Sequence, residues 1–502
     1  MARRALLAVL TLAMPLLVAS PASAAVTCVF DEATGTVTIT LANGDVARVV
    51  RAGDAITIDG TPCGAATVSS TDTIDVSSTG TAAEVRIDLS GGPFAPGETP
   101  ETDTAGSEIE WLVNLLAGST LRIVGGSDID RVVVGADGIN LNAGETTGDV
   151  DVVVTGAPTI ILDGQAGADV LSVGGGAGTG GPGPIATVIG GADDDRLVAG
   201  TAGGTFDGAD GSDTIDYSAV NGSVTVDLAA GTGTTGGGED ALVSIENAVG
   251  SAGDDVLLGD GGPNALEGGA GADRISGAAG DDTLDGGAGV DLLDASDANA
   301  VIVDLEAGVL TGQGTDALDG FEDVLGSDGA DRIDGNGAQN SLDGGAGADR
   351  IDGAGGADEL KGGTGNDTAT YGSSSRGVTV SLSEGTATGA GADTLSGFEN
   401  LIGSPDDDTL EGTDGKNMID GRSGADDVDG LDGQDRLVGG NGADLLFGGA
   451  ANDLLLGGAR KDQLNGGVGN DDVCRGGEEP DSFVFCENYR TTVADAWFVE
   501  LG

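Results

Sequence analysis

Residues 403–474 divide without remainder into eight nonapeptides: GSPDDDTLE, GTDGKNMID, GRSGADDVD, GLDGQDRLV, GGNGADLLF, GGAANDLLL, GGARKDQLN and GGVGNDDVC. Gly leads every unit, Asp holds the sixth place in all but one, where Asn417 stands, and Leu, Ile or Val holds the eighth. A unit this short cannot bury its apolar residue alone, so the units must stack. In the frame G-G-x-G-x-D-x-U-x, the first six residues predict a tight turn, with Gly where φ is positive and where carbonyls converge. The last three predict a short strand with U inward and its neighbours outward. Two units close one coil, so each unit lies over the unit eighteen residues on. Asp435 is thereby expected over Asp453 and then Asp471, with Asp426, Asp444 and Asp462 along the opposite edge.

Stacked carboxylates repel one another unless cations lie between them. Calcium (Ca2+) takes about six to eight oxygens from carboxylates and carbonyls, which is what such turns offer. Asp is also favoured in Gly-rich turns because it bonds to its own backbone. That accounts for one unit better than for a long run in register.

The same frame recurs upstream. Asp169, Asp195 and Asp213 hold the sixth place in early units, and Gly204 takes that place in the unit between the last two. Asp130 does so in a degenerate unit, Gly125 to Val132. Block 250–294 carries Asp255, Asp273, Asp282 and Asp291, and block 326–370 carries Asp331, Asp349, Asp358 and Asp367. Block 403–474 carries Asp408, Asp426, Asp435, Asp444, Asp453, Asp462 and Asp471. These are the candidate metal ligands. Asn264, Asn340 and Asn417 keep one oxygen and lose the charge, so weaker sites are expected there.

A longer period contains the short one. Val224-Thr225-Val226-Asp227-Leu228 returns as Val301 to Leu305 and Val378 to Leu382, every 77 residues. Ile245-Glu246-Asn247, Phe321-Glu322-Asp323 and Phe398-Glu399-Asn400 are a second such set. The connectors 217–249, 295–325 and 371–402 hold inward apolar strands but no evident Asp rhythm. They are expected to continue the stack as coils without calcium; a small protrusion is the alternative. Tyr217 and Tyr371 hold matching places and are expected to plug the junctions. In 475–502, Phe483 and Phe485 are expected to cap the last coil, since a solenoid end exposes apolar cross-section and strand edges.

Ahead of the repeats, 25–124 shows alternating β patterns without calcium turns, and 125–216 holds the degenerate and first calcium repeats. Trp111 falls in one of these alternating strands and is expected in the core. At the start, Arg3 and Arg4 precede an apolar run, Ala5 to Ala19, and Ala22-Ser23-Ala24 forms an A-x-A site, so 1–24 is expected to be a cleavable secretion signal. The four cysteines suit an oxidising compartment, and their clustering suggests Cys28–Cys63 and Cys474–Cys486.

The net charge of −64 excludes nucleic acid as a partner. There is no histidine, which removes Ser-His-Asp triads, Cys-His dyads and His-ligated zinc. Glu98, Glu101, Asp103, Glu108 and Glu110 invite comparison with a glycosidase carboxylate pair. With few aromatics nearby they read as a solvated acidic loop, and no enzyme is expected.

Over residues 160–485 the units resemble the repeats-in-toxin (RTX), hemolysin-type calcium-binding family. Residues 28–163 resemble, more weakly, the start of secreted actinobacterial calcium-binding proteins. The RTX resemblance implies an all-β, right-handed parallel β-roll that binds calcium between turns and folds when it meets extracellular calcium. Two features depart from that family: the signal is N-terminal and cleavable, and no catalytic or pore-forming domain is evident. The expected function is that of a secreted, monomeric calcium-binding protein with no transmembrane segment. A surface adhesin or matrix spacer is the first alternative. A calcium-dependent enzyme or toxin, with its chemistry in 25–160, is the second.

Overall fold

The computed structural model describes residues 26–92, 94, 109–128, 130–141, 150–176, 179, 181, 183, 186–477 and 479–490. The proposed signal, four of the acidic-loop carboxylates (Glu98, Glu101, Asp103 and Glu108) and the tail beyond Arg490 lie outside these. The described chain is β throughout, with one short 3-10 turn at Leu89–Gly91. It divides into two compact units, 1–124 with 151–161, and 125–150 with 162–502.

The first unit is a stack of parallel strands on two faces. On one face Thr36–Leu41, Thr73–Ser78, Glu110–Leu115 and Val152–Gly156 follow in register. On the other, Val46–Ala52, Glu84–Asp88 and Thr120–Val124 do the same. Alternation in these strands puts Val37, Ile74 and Trp111 in one inward column and Val49, Ile87 and Ile123 in another, all buried. One turn of this stack takes 36 to 41 residues. The sequence shows the alternation but not this pitch, because the loops between the strands differ in length. Thr27–Asp31 pairs antiparallel with Thr36–Leu41, and Cys28–Cys63 ties it to Thr61–Thr67.

In the second unit the nonapeptides stack as expected from their frame. Each short strand pairs in parallel with the strand of the unit two further on, for example Arg436–Asn441 on Leu454–Ala459 and Leu445–Phe447 on Gln463–Asn465. The eighth places form two buried columns, one running through Leu257, Ile275, Leu293, Val324, Leu342 and Leu360. The other ends on Ile419, Leu437, Leu455 and Cys474.

The connectors continue the stack, though not as simple coils. In the first, Glu239–Val243 pairs in parallel with the earlier strand Thr205–Asp210. Thr232–Thr234 then lies antiparallel between Glu239–Val243 and Thr225–Asp227, and the last pairs in parallel with Val256–Leu258. The connector therefore enters one face as a three-stranded meander laid down in reverse order. The opposite face meanwhile advances by one strand, Asn247–Val249. The second connector does the same on the other face, and the third returns to the first face. The reason is parity. Five nonapeptides separate successive connectors, and each nonapeptide changes face.

Tyr217 and Tyr371 are both buried at these junctions. The Tyr217 hydroxyl donates to Asp240 at 2.9 Å, and a Cβ on Gly233 would collide with that hydroxyl. At the matching places the second connector has Ala295 with Leu310 and the third has Tyr371 with Ala387. A large residue at one place accompanies a smaller one at the other, which conserves buried volume.

Candidate metal sites along the carboxylate ladders

The sixth-place side chains point into the stack, where their own turns meet those of the next coil. Inside a block most of the aspartates accept a hydrogen bond through Oδ1 from the backbone N–H of the sixth-place residue one coil earlier. The bonds from Asp195 to Asp213, Asp255 to Asp273, Asp273 to Asp291, Asp349 to Asp367, Asp426 to Asp444 and Asp444 to Asp462 run from 2.7 to 3.1 Å. Within each block two edges of buried sixth-place side chains result, carboxylates except at Asn264, Asn340 and Asn417.

Most of their second oxygens have no partner. Oδ2 of Asp169, Asp195, Asp213, Asp273, Asp282, Asp291, Asp349, Asp367, Asp426, Asp435, Asp444, Asp453, Asp462, Asp472 and Asp481 is buried without a hydrogen bond. Burying an ionised carboxylate this way is costly, and the group either neutralises or acquires a cation. Desolvation accordingly pushes Asp169, Asp426, Asp435 and Asp462 up to about 7. It pushes Asp195, Asp273, Asp282, Asp349, Asp358 and Asp453 up to about 6. The ladder hydrogen bond acts against this shift, and the neighbouring carboxylates add to it.

The glycines complete the cradle. A Cβ on Gly448 would lie 2.5 Å from Asp453 Oδ2 and 2.5 Å from the Gly466 carbonyl. At the second place, φ is +107° at Gly440, +100° at Gly449 and +112° at Gly458, and a Cβ there would meet the carbonyl of the coil before. Every donor atom gathered here is a hard oxygen, which suits calcium. Among the described residues no three His, Cys, Asp or Glu side chains gather closely enough to hold a metal. An ion here would be shared by carboxylates of adjacent coils and completed by backbone carbonyls.

A family model of the RTX calcium-binding nonapeptide repeat matches residues 245–274, 258–293, 316–351, 325–360, 334–369, 402–437, 429–459 and 438–473. The three blocks are RTX repeats. No curated protein matches the chain.

The RTX units are not all alike, and here the structure corrects the sequence reading in four ways. First, Asp471 is exposed, and Asp472 takes its expected place, accepting from Asp453 N–H at 2.9 Å. The inward residue of that unit is Cys474, stacked on Leu455, so the register slips by one residue. Asp481, outside the candidate set, continues this edge by accepting from Asp462 N–H at 3.0 Å.

Second, in the opening unit of each block the carboxylate is engaged by hydrogen bonds at both oxygens. Asp255, Asp331 and Asp408 accept from a connector N–H (Val224, Val301 or Val378) at 2.7 to 2.8 Å. They also accept from the N–H and hydroxyl of Ser251, Ser327 or Ser404 at the second place. Both oxygens are used. Third, Asn264, Asn340 and Asn417 act as hydrogen-bond donors, which the sequence reading did not foresee. Their amide nitrogens bond the carbonyls of Glu246, Glu322 and Glu399 at 2.7 to 2.8 Å. An ionised Asp at these places could not donate that bond.

Fourth, the connectors do carry the acidic rhythm. Asp240, Asp316 and Asp393 accept from the backbone N–H of Gly204, Asp282 and Asp358. Each lies two residues before a buried or half-buried apolar residue (Leu242, Leu318 or Leu395), as a sixth-place Asp does. The spacing was visible in the sequence, but the turn ahead of it lacks the nonapeptide glycines. Phe485 is also not the expected cap, being 62 % exposed. Strand Asn488–Arg490 pairs over Val473–Gly477 instead, and Cys474–Cys486 holds that end.

Proposed function

We propose that this is a secreted calcium-binding protein whose stacked Gly/Asp turns bind calcium and fold on binding. The observation that carries the reading is the set of fifteen buried carboxylate oxygens without a partner. With a net charge of −64, the chain without metal faces both long-range self-repulsion and local desolvation of these groups. Binding an ion removes both, so binding free energy becomes folding free energy. Extracellular modules of this kind bind at about 10⁻⁴ to 10⁻³ M, which places the transition outside the cell.

Export is supported by Arg3-Arg4, the apolar run behind them and Ala22-Ser23-Ala24. Two disulfides and no free cysteine among the described residues suit an oxidising compartment. No helix of the described residues is long and apolar enough to cross a membrane. We assign the chain no reaction of its own, on the chemistry of its side chains. The test is far-UV circular dichroism in chelator and during calcium titration. The β signal of the repeats is expected to rise cooperatively with calcium, and a signal equal in chelator and calcium would sink the reading.

A further inference from the structure

The second recurring set, the Glu of Ile245-Glu246-Asn247 and its relatives, has no place in the nonapeptide frame. Yet Glu246 Oε2 accepts from Asp213 N–H at 2.9 Å, Glu322 Oε2 from Asp291 N–H at 3.0 Å and Glu399 Oε2 from Asp367 N–H at 2.9 Å. At the C-terminal end Glu487 Oε2 accepts from Asp472 N–H at 3.0 Å. These are the bonds that a ladder Asp makes inside a block. Glu246, Glu322 and Glu399 also lie two residues before an inward strand position, at Ala248, Val324 or Leu401, and Glu487 lies two before Tyr489, whose backbone pairs with Cys474, so each occupies the sixth place of a unit with a shortened turn.

At all four junctions the carboxylate facing the Glu is unsatisfied. Asp213, Asp291, Asp367 and Asp472 are fully buried, and Oδ2 of each lacks a partner. A carbonyl is supplied as well. A Cβ on Gly208, Gly286, Gly362 or Gly466 would collide with the carbonyl of Ser244, Gly320, Gly397 or Phe485 respectively. Those four residues stand two before the Glu, and all have positive φ, from +48° to +72°. At Gly208 and Gly466 the same Cβ would also meet Oδ2 of Asp213 or Asp472. The longer Glu side chain replaces the reach that the missing Gly-Gly turn would have given an Asp.

We propose that the chain holds four further calcium sites outside the nonapeptide frame, one at each of these junctions, with Glu246, Glu322, Glu399 and Glu487 as ligands. The proposal rests on the calcium reading of the repeats. It makes the connectors and the C-terminal segment part of the metal-bearing stack, so calcium would bridge each block to the next segment of the chain. Ser251, Ser327 and Ser404 close the other side of each connector by hydrogen bonds. Each connector would thus be tied to the coil before it by an ion and to the coil after it by hydrogen bonds.

The test counts ions bound to the full-length protein by equilibrium dialysis with radioactive calcium. The variant combines Glu246→Gln, Glu322→Gln, Glu399→Gln and Glu487→Gln, which keeps an oxygen to accept the Asp N–H and removes the charge. It is expected to bind four ions fewer than the wild type with its β signal retained at saturating calcium. Glu306→Gln, an exposed acid in a connector hairpin, is expected to bind as many as the wild type. An unchanged count in the combined variant overturns the proposal and leaves the block sites standing. If the combined variant loses its β signal, the four single variants are counted; each should lose one ion, and unchanged counts overturn the proposal. A wild type that binds no calcium removes this proposal together with the reading it rests on.

Discussion

Two kinds of sixth-place residue are separated by what their oxygens touch. Asp444 has an unpartnered Oδ2, whereas Asp408 is bonded by Val378 N–H, Ser404 N–H and the Ser404 hydroxyl. Asp444→Asn should therefore raise the calcium concentration at the folding midpoint, read by circular dichroism. Ser404→Ala should cost about 1 kcal/mol of stability in denaturant titrations, by the same amount at every saturating calcium level. The raised carboxylates give a second prediction, made for the chain in chelator. Their folded values of about 6 to about 7 lie above the ordinary unfolded value. The native state then holds more protons than the unfolded chain across that window, so its stability falls as pH rises. In chelator, β structure is expected near about pH 4 and is lost progressively toward about pH 7. A metal-free β signal that increases with pH over this range would contradict the burial of these groups.

A turn element works only if the coil above can sit on it. Gly458 has φ +112° and its missing Cβ leaves room for the Gly440 carbonyl, whereas Gly261 has nothing within 4 Å. Gly458→Ala should cost about 2 kcal/mol or more in calcium-saturated urea denaturation, through left-handed strain and collision with backbone. Gly261→Ala should stay within about 0.5 kcal/mol. The nonapeptide frame shows where such glycines fall. It does not show that Ser251, Ser327 and Ser404 help open each block with a turn of another kind, because the Asp of that turn is bonded by a connector N–H from 30 or 31 residues earlier. Nor does it show the slip from Asp471 to Asp472. The period alone puts Val473 inward, and only the column through Leu455, closed by a bridged Cys474, decides otherwise.

At the scale of the whole molecule, the two compact units differ in what holds them. Buried carboxylate oxygens without a partner are confined, among the described residues, to 125–150 and 162–502. The first unit rests on apolar columns such as Val37, Ile74 and Trp111 and on Cys28–Cys63. Hydrogen exchange of the full chain in chelator should find strands of 36–124 protected and those of 190–477 exchanging freely, with protection of the latter restored by calcium. Sodium chloride at about 0.15 M should not substitute, since it screens exposed charges far better than buried ones. The sequence by itself determined the repeat, the two-unit coil, most of the ladder carboxylates and the calcium chemistry. All of these derive from a local period in which each residue's role is set by its place within nine. Only the tertiary structure decided which carboxylates are already satisfied, that connectors enter alternate faces in reverse strand order, and that glutamates continue the ladders across the junctions. Those outcomes depend on which backbone groups of distant coils meet each side chain, and a local period carries no record of that.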